Sequence, residues 1–178
     1  PTVIFLRKRG ARVVLISHRG RPHGKIDKRF SLQPFVSIIT RAYGERVDFI
    51  GSTTWKVIAR GVRASRASII LLENVRYFKG EEEGDKKVAK KLSALGDIFI
   101  NDAFAVSHRA NASVYGIAKF LPSYAGLSLA SEVGHLEALS KKPRKPLVLV
   151  IGGAKISTKI GLFKAFSKKA KAFLVGGA

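Results

Sequence analysis

The chain has 178 residues, of which 46% are hydrophobic, enough for one well-cored domain and part of a second. Recurrent apolar runs exclude a disordered chain, and the absence of cysteine excludes disulfides and thiolate metal sites. The formal net charge of +21 fits either lysine-rich helix faces in solvent or a surface that meets anions, and composition alone does not separate the two.

The N-terminal stretch, Pro1 to Gly10, holds a few apolar residues and then Arg7, Lys8 and Arg9. That order is the reverse of a signal peptide's, and no run approaches the ~18 apolar residues of a membrane span. A cytoplasmic protein with no membrane partner is expected. The four histidines are scattered without metal-ligand spacing, so no metal ligands are expected.

Short apolar runs follow in order: Val13–Ile16, Val47–Ile50, Ile69–Leu72, Ile98–Ile100, Leu147–Ile151 and Ala172–Val175. Apart from Asp48 they are apolar throughout rather than alternating, as suits strands of a parallel sheet covered on both faces. Between them the sequence predicts helices. Leu32–Tyr43 starts after Ser31 and stops at Gly44; Asp85–Leu95 carries Val88, Ala89, Leu92 and Leu95 on one face; Ile160–Lys171 carries Leu162, Phe163 and Phe166. The alternation predicts an α/β fold, a parallel sheet with helices on both faces in a Rossmann-like three-layer arrangement. Residues 131–139 read as a further helix, and Lys141 to Pro146 as an exposed linker. The expected organisation is a substrate-side domain over 1–131, an interdomain helix and linker over 132–146, and the beginning of a second α/β domain over 147–178, too short to close a core alone.

Polar motifs follow four of the strands directly. They are Ser17-His18-Arg19-Gly20-Arg21-Pro22, Glu73-Asn74-Val75-Arg76-Tyr77-Phe78, Asn101 through Ala110, and Gly152-Gly153-Ala154-Lys155-Ile156-Ser157-Thr158-Lys159. In an open parallel sheet the strand C-termini share one edge, where ligands bind. The first three motifs would bring Arg21, Arg76 and Arg109 there with His18 and His108. The planar fork of arginine suits phosphate and carboxylate, so a small ligand bearing both is the natural occupant. Any one of these arginines alone fits a surface ion pair; three at successive strand ends favour a shared site. His18 fits a structural hydrogen bond as well as a ligand contact. In the fourth motif, Gly152 and Gly153 permit close backbone approach, and Lys155 and Lys159 are four residues apart near a predicted helix start, which is a phosphate-binding arrangement. The motif is not a Walker A loop, and alone it also fits a tight turn with two solvated lysines.

Read together, these motifs resemble phosphoglycerate kinases. Ser17 to Pro22 is similar to the family's SHLGRP, Leu71 to Phe78 to LLENVRF with Gly80-Glu81-Glu82 after it, and Gly96 to Phe104 to GDIYVNDAF. His108 to Ser113 is similar to HRAHAS, and Gly152 to Ser157 to GGAKVS. The resemblance implies reversible phosphoryl transfer between 1,3-bisphosphoglycerate and ADP, giving 3-phosphoglycerate and ATP, with Mg2+ as the metal of the ATP/ADP nucleotide. It implies a phosphoglycerate-binding patch of His18, Arg21, Arg76 and Arg109, and a nucleotide side of Gly152, Gly153, Ala154, Lys155 and Lys159. Arg21, Arg109 and Lys155 would serve the transfer itself. It also implies a monomer, and a partial enzyme inactive by itself.

Three positions depart from the family pattern. Arg19 stands where leucine is usual, Asn111 replaces the second histidine of HRAHAS, and Thr158 replaces an aspartate. The charge also admits a second reading, a non-catalytic basic module that binds nucleic acid or other polyanions. Aromatic residues do not interleave with the basic ones as a stacking platform requires.

Overall fold

In a computed structural model of the chain, residues 1–153 and 159–177 are described. The chain divides into two compact units, Pro1–Ala130 and Ser131–Ala178.

The first unit is built around a parallel sheet of β1 (Val13–Leu15), β2 (Val47–Ile50) and β3 (Ile69–Leu72), in the order β1-β3-β2. The central position of β3 explains its composition. Side chains of a strand alternate between faces, so a strand covered on both faces must be apolar at every position. Ile69 and Leu71 face one cluster, formed with Leu32 and with Val3, Val36, Ile39 and Tyr43. Those partners come from α1 (Thr2–Arg7), α2 (Val36–Tyr43) and the segment before it. Ile70 and Leu72 face the other cluster, with Ile58 and Val62 of α3 (Trp55–Ala64) and Val88, Ala89 and Leu92 of α4 (Lys86–Ser93). The expected three layers are present. Edge strand β2 tolerates Asp48, which accepts hydrogen bonds from Ser65 Oγ (2.7 Å) and Arg46 Nε (2.8 Å).

The strands do not form one continuous sheet. β4 (Phe99–Asn101) pairs in parallel with β5 (Ser123–Ala125), apart from the first sheet. The chain between them turns through short helical segments, including a π-helical turn at Ala112–Gly116. Helix α5 (Leu127–Lys141) starts four residues before the expected 131. Its first turn is held by a residue distant in sequence: Asp102 Oδ1 accepts from the backbone N–H of Ser128 (2.9 Å) and Leu129 (3.1 Å). Burial raises the Asp102 carboxyl pKa, but hydrogen bonds from Thr2, Leu129 and Ser128 outweigh it and hold the group below its ordinary range.

Among the described residues the second unit contains one parallel pair, β6 (Val148–Gly152) with β7 (Ala172–Gly176), and between them α6 (Ile160–Phe166). Phe163 of α6 packs on Phe173 of β7, with ring centroids 5.0 Å apart. The helix ends at Phe166 rather than at the expected 171.

Candidate active site

The site begins at the C-terminal end of β3, where Glu73-Asn74-Val75-Arg76 leaves the sheet fully buried. A buried polar side chain must find partners, and each of these does so in another loop. Glu73 accepts from Ser31 Oγ (2.7 Å) and from the Leu32 (2.8 Å) and Asn74 (2.7 Å) backbone N–H groups. The Asn74 side-chain amide donates to the carbonyls of Arg19 (2.8 Å) and Phe30 (2.9 Å). Val75 N–H donates to Ser17 O (3.1 Å). The loop after β1, which carries His18 and Arg21, is thus fixed by the loop after β3. At Gly20 the backbone turns left-handed (φ +61°), and a Cβ there would run into the Phe30 ring, so this turn needs glycine. The turn leaves Arg21 exposed.

Arg76 is only 4% exposed. Its Nη1 donates to Gly20 O (2.7 Å), while Nε lies 3.5 Å from Glu82 Oε1 without the alignment of a hydrogen bond. Among the described residues, Arg76 Nε is the buried side-chain polar atom without a hydrogen-bond partner. Glu82 Oε2 lies 3.2 Å from His23 Nδ1.

A second clamp joins the loop after β3 to the loop after β4. Glu81 is 1% exposed. Its carboxyl group accepts from Asn111 Nδ2 (3.0 Å) and Ser113 Oγ (2.5 Å), and its carbonyl from the Ala112 N–H (2.8 Å). Asn111, a departure from the family pattern, therefore holds the segment after Arg109 in place. Arg109 is half-buried beside this clamp and His108 is exposed.

The electrostatics place His18 within reach of the same groups. Burial holds its imidazole below the ordinary histidine range; the Arg76 charge adds to this, Glu81 opposes it and Arg109 lowers it further. His18, Arg76 and Arg109 thus share one neighbourhood, although β4 lies outside the sheet of β1 and β3. Because the folded pKa lies below the unfolded one, the unfolded chain takes up the proton first. Stability from this group is full above the ordinary histidine range and is lost as pH falls through it. The Arg19 side chain turns away to the Phe35 ring, 5.6 Å from its centroid.

In the second unit, Gly152, Gly153 and Lys159 lie together. Lys159 Nζ donates to Gly152 O, and Gly153 (φ +112°) has no Cβ, which would come within 2.6 Å of that ammonium. Ala154, Lys155 and Thr158 lie outside the described residues.

A family model described as phosphoglycerate kinase matches residues 1–178. The chain belongs to the phosphoglycerate kinase family. The phosphoglycerate kinase of Coprothermobacter proteolyticus is 43% identical over 179 residues, which covers all of this chain and 46% of that protein. That of Wolbachia pipientis is 44% identical, covering all of this chain and 45% of that protein. Among solved structures, phosphoglycerate kinase from Coxiella burnetii matches with a TM-score of 0.80 at 39% identity, over 99% of this chain and 44% of that one. The Pyrococcus horikoshii enzyme matches with a TM-score of 0.86 at 26% identity, over 99% of this chain and 46% of that one. The chain thus spans less than half the length of these phosphoglycerate kinases.

Sequence reasoning missed the holding residues of this family member. Glu73, Asn74 and Glu81 stand inside the motifs it singled out but were given no role, and for Glu73 and Asn74 the signal was available: polar residues directly after a wholly apolar strand.

Proposed function

We propose that the chain supplies the phosphoglycerate side, and the opening of the nucleotide side, of an enzyme that moves a phosphoryl group reversibly between 1,3-bisphosphoglycerate and ADP. The single observation that carries this reading is that Asn74, Arg76 and Glu81 tie the loops after β1, β3 and β4 to one another by hydrogen bonds, and these loops carry His18, Arg21 and Arg109. Cationic side chains carried by loops that are tied together suit an anionic ligand. The 3-phosphoglycerate phosphate and carboxylate meet Arg21, Arg109 and His18, with Arg76 behind them fixing the Gly20 turn.

On the nucleotide side, Gly152 and Gly153 let the backbone approach the phosphates, and Lys155 and Lys159 neutralise their charge. Phosphoryl transfer depends on positioning and charge stabilisation more than on covalent participation. Mg2+ accompanies the nucleotide. Among the described residues no three His, Asp or Glu side chains converge, and the nucleotide's own phosphates offer the oxygen donors that Mg2+ prefers. No described helix is long and apolar enough to cross a membrane. On the family resemblance we place the enzyme in the cytoplasm and read it as a monomer.

Arg109→Ala tests the assignment in an enzyme that joins this chain to a complete nucleotide domain. Removing one charge-assisted contact from the ligand is expected to raise KM for 3-phosphoglycerate on the order of 10-fold or more, with a smaller change in KM for ATP. An unchanged KM for 3-phosphoglycerate would place Arg109 outside the site.

A further inference from the structure

Most cations of the first unit that lie near a carboxylate are paired with it: Arg7 with Glu45 (2.9 Å), Arg29 with Asp27 (2.7 Å), Arg46 with Asp48 (2.8 Å). Helices α3 and α4 are different. In α3, Lys56, Arg60 and Arg63 recur at positions i, i+4 and i+7, and all are exposed. In α4, Lys86, Lys87, Lys90 and Lys91 form the exposed face opposite buried Val88, Ala89 and Leu92. Neither helix contains an acidic residue, and among the described residues none of these cations is within ion-pair distance of a carboxylate. Asp85, just before α4, has its Oδ1 occupied by the Val88 N–H (2.8 Å).

The two helices meet at Lys91 and Trp55. Both helices pack on the same core cluster over the same face of the sheet, and Lys91 Nζ of α4 sits 5.6 Å from the Trp55 ring centroid of α3. Cations four residues apart recur about every 6 Å along a helix axis, so each helix presents a basic row to solvent. A surface that only needs solubility mixes both signs of charge; one that carries a single sign repels itself unless an anion neutralises it.

We propose that the α3–α4 face binds the phosphate backbone of duplex nucleic acid, without sequence preference and separately from the phosphoglycerate site. A duplex presents about one negative charge per 1.7 Å, dense enough to answer both rows. Single-strand stacking is not the mode, because the Trp55 ring is stacked on Phe78, with centroids 4.3 Å apart. A membrane surface fits less well. Interfacial helices bury an apolar face in the lipid, and here that face is in the protein core; among the large apolar side chains of the two helices only Val57 is strongly exposed, at 52%.

The test is fluorescence anisotropy of a labelled 20-base-pair duplex of arbitrary sequence with the full chain. Binding is expected to weaken on the order of 10³-fold between 50 and 200 mM salt, a log–log slope of about −5 at roughly 0.9 per phosphate contact. Lys56→Gln/Arg60→Gln/Arg63→Gln and, separately, Lys87→Gln/Lys90→Gln/Lys91→Gln should each weaken binding at least about 10-fold at 50 mM and flatten the slope by about 2–3. Should the α3 variant fail to fold by circular dichroism, the α4 variant carries the test. Lys164→Gln/Lys168→Gln/Lys169→Gln should keep the parent slope, and saturating 3-phosphoglycerate should not displace the duplex. Absence of binding at 50 mM salt, α3 and α4 variants that bind like the parent, displacement by 3-phosphoglycerate, or equally tight binding to phosphatidylserine vesicles would each overturn the proposal.

Discussion

Glu81→Ala is expected to lower the melting temperature of the chain by roughly 6–12 °C, from a loss of about 3 kcal/mol at about 2–4 °C per kcal/mol for a chain of this length. Glu81 is 1% exposed and accepts from Asn111 and Ser113 in the loop that follows β4. Truncation leaves a buried amide and a part-buried hydroxyl without their acceptor, and the cost of an unmade buried hydrogen bond exceeds the net gain of a made one. Glu81→Gln keeps one acceptor oxygen in place and should lose less than half as much. The double variant Glu81→Ala/Asn111→Ala should be more stable than the sum of its single variants predicts, since the orphaned donor is then gone. Differential scanning calorimetry of these variants and of Asn111→Ala checks this. A Glu81→Ala midpoint within about 2 °C of the parent, less than 1 kcal/mol on the same scale, would show that the two loops are held by something other than this carboxyl group.

Lys155→Ala, in an enzyme that joins this chain to a complete nucleotide domain, is expected to lower kcat on the order of 10²- to 10³-fold, the usual loss on removing one preorganised charge contact to a transition state. The expectation rests on Gly152-Gly153-Ala154-Lys155, on the resemblance of that segment to the family's GGAKVS, and on its neighbours. Lys159 and the two glycines already lie together at the end of β6. Charge that develops on the moving phosphoryl is felt more in the transition state than in the bound substrate, so kcat falls more than binding weakens. KM for 3-phosphoglycerate should change far less, because the groups assigned to that ligand are in the first unit. Lys90→Ala, on an exposed helix face, is the control and should move neither constant. Steady-state kinetics separates these outcomes, and a Lys155→Ala enzyme with parental kcat would put the chemistry in another loop.

What could be read from the sequence follows the range of the forces involved. The six strands Val13–Ile16, Val47–Ile50, Ile69–Leu72, Ile98–Ile100, Leu147–Ile151 and Ala172–Val175 are legible because each is written as a largely apolar run. β5, Ser123–Ala125, is three exposed residues and leaves no such trace. Helix α3 carries Ile58 and Val62 four residues apart, a legible stripe after Thr54 at the N-cap, but Gly61 within it obscures it. The early start of α5 is not local information at all: Asp102 holds it from 26 residues away. The site divides in the same way. Arginines and glycines that follow strands announce themselves, whereas the Asn74 contact to the Arg19 carbonyl spans 55 residues and that of Glu81 with Asn111 spans 30. The resemblance supplied the patch of His18, Arg21, Arg76 and Arg109. The structure adds that Arg76 is buried against the Gly20 carbonyl, so it first of all shapes the turn that presents Arg21.

The proposed phosphoglycerate site is tested most directly by calorimetric titration of 3-phosphoglycerate into the chain, at about pH 6.0 and 7.5, on either side of the ordinary histidine pKa, and in buffers of different ionisation enthalpy. An anion beside His18 favours the imidazolium and raises a pKa that the fold holds low, so at about pH 7.5, where the ligand's phosphate is already a dianion, binding should take up protons, whereas at about pH 6.0 the phosphate itself gives up protons on binding and offsets this. Affinity should fall steeply with salt, because the contacts are between charges. Arg21→Ala/Arg109→Ala should abolish the saturable heat while the melting transition persists. Proton uptake, salt sensitivity and loss of heat in the double variant are the results expected of a charged site built on His18, Arg21 and Arg109. Binding of glycerol as strong as that of 3-phosphoglycerate, or a titration unchanged in the double variant, would contradict it.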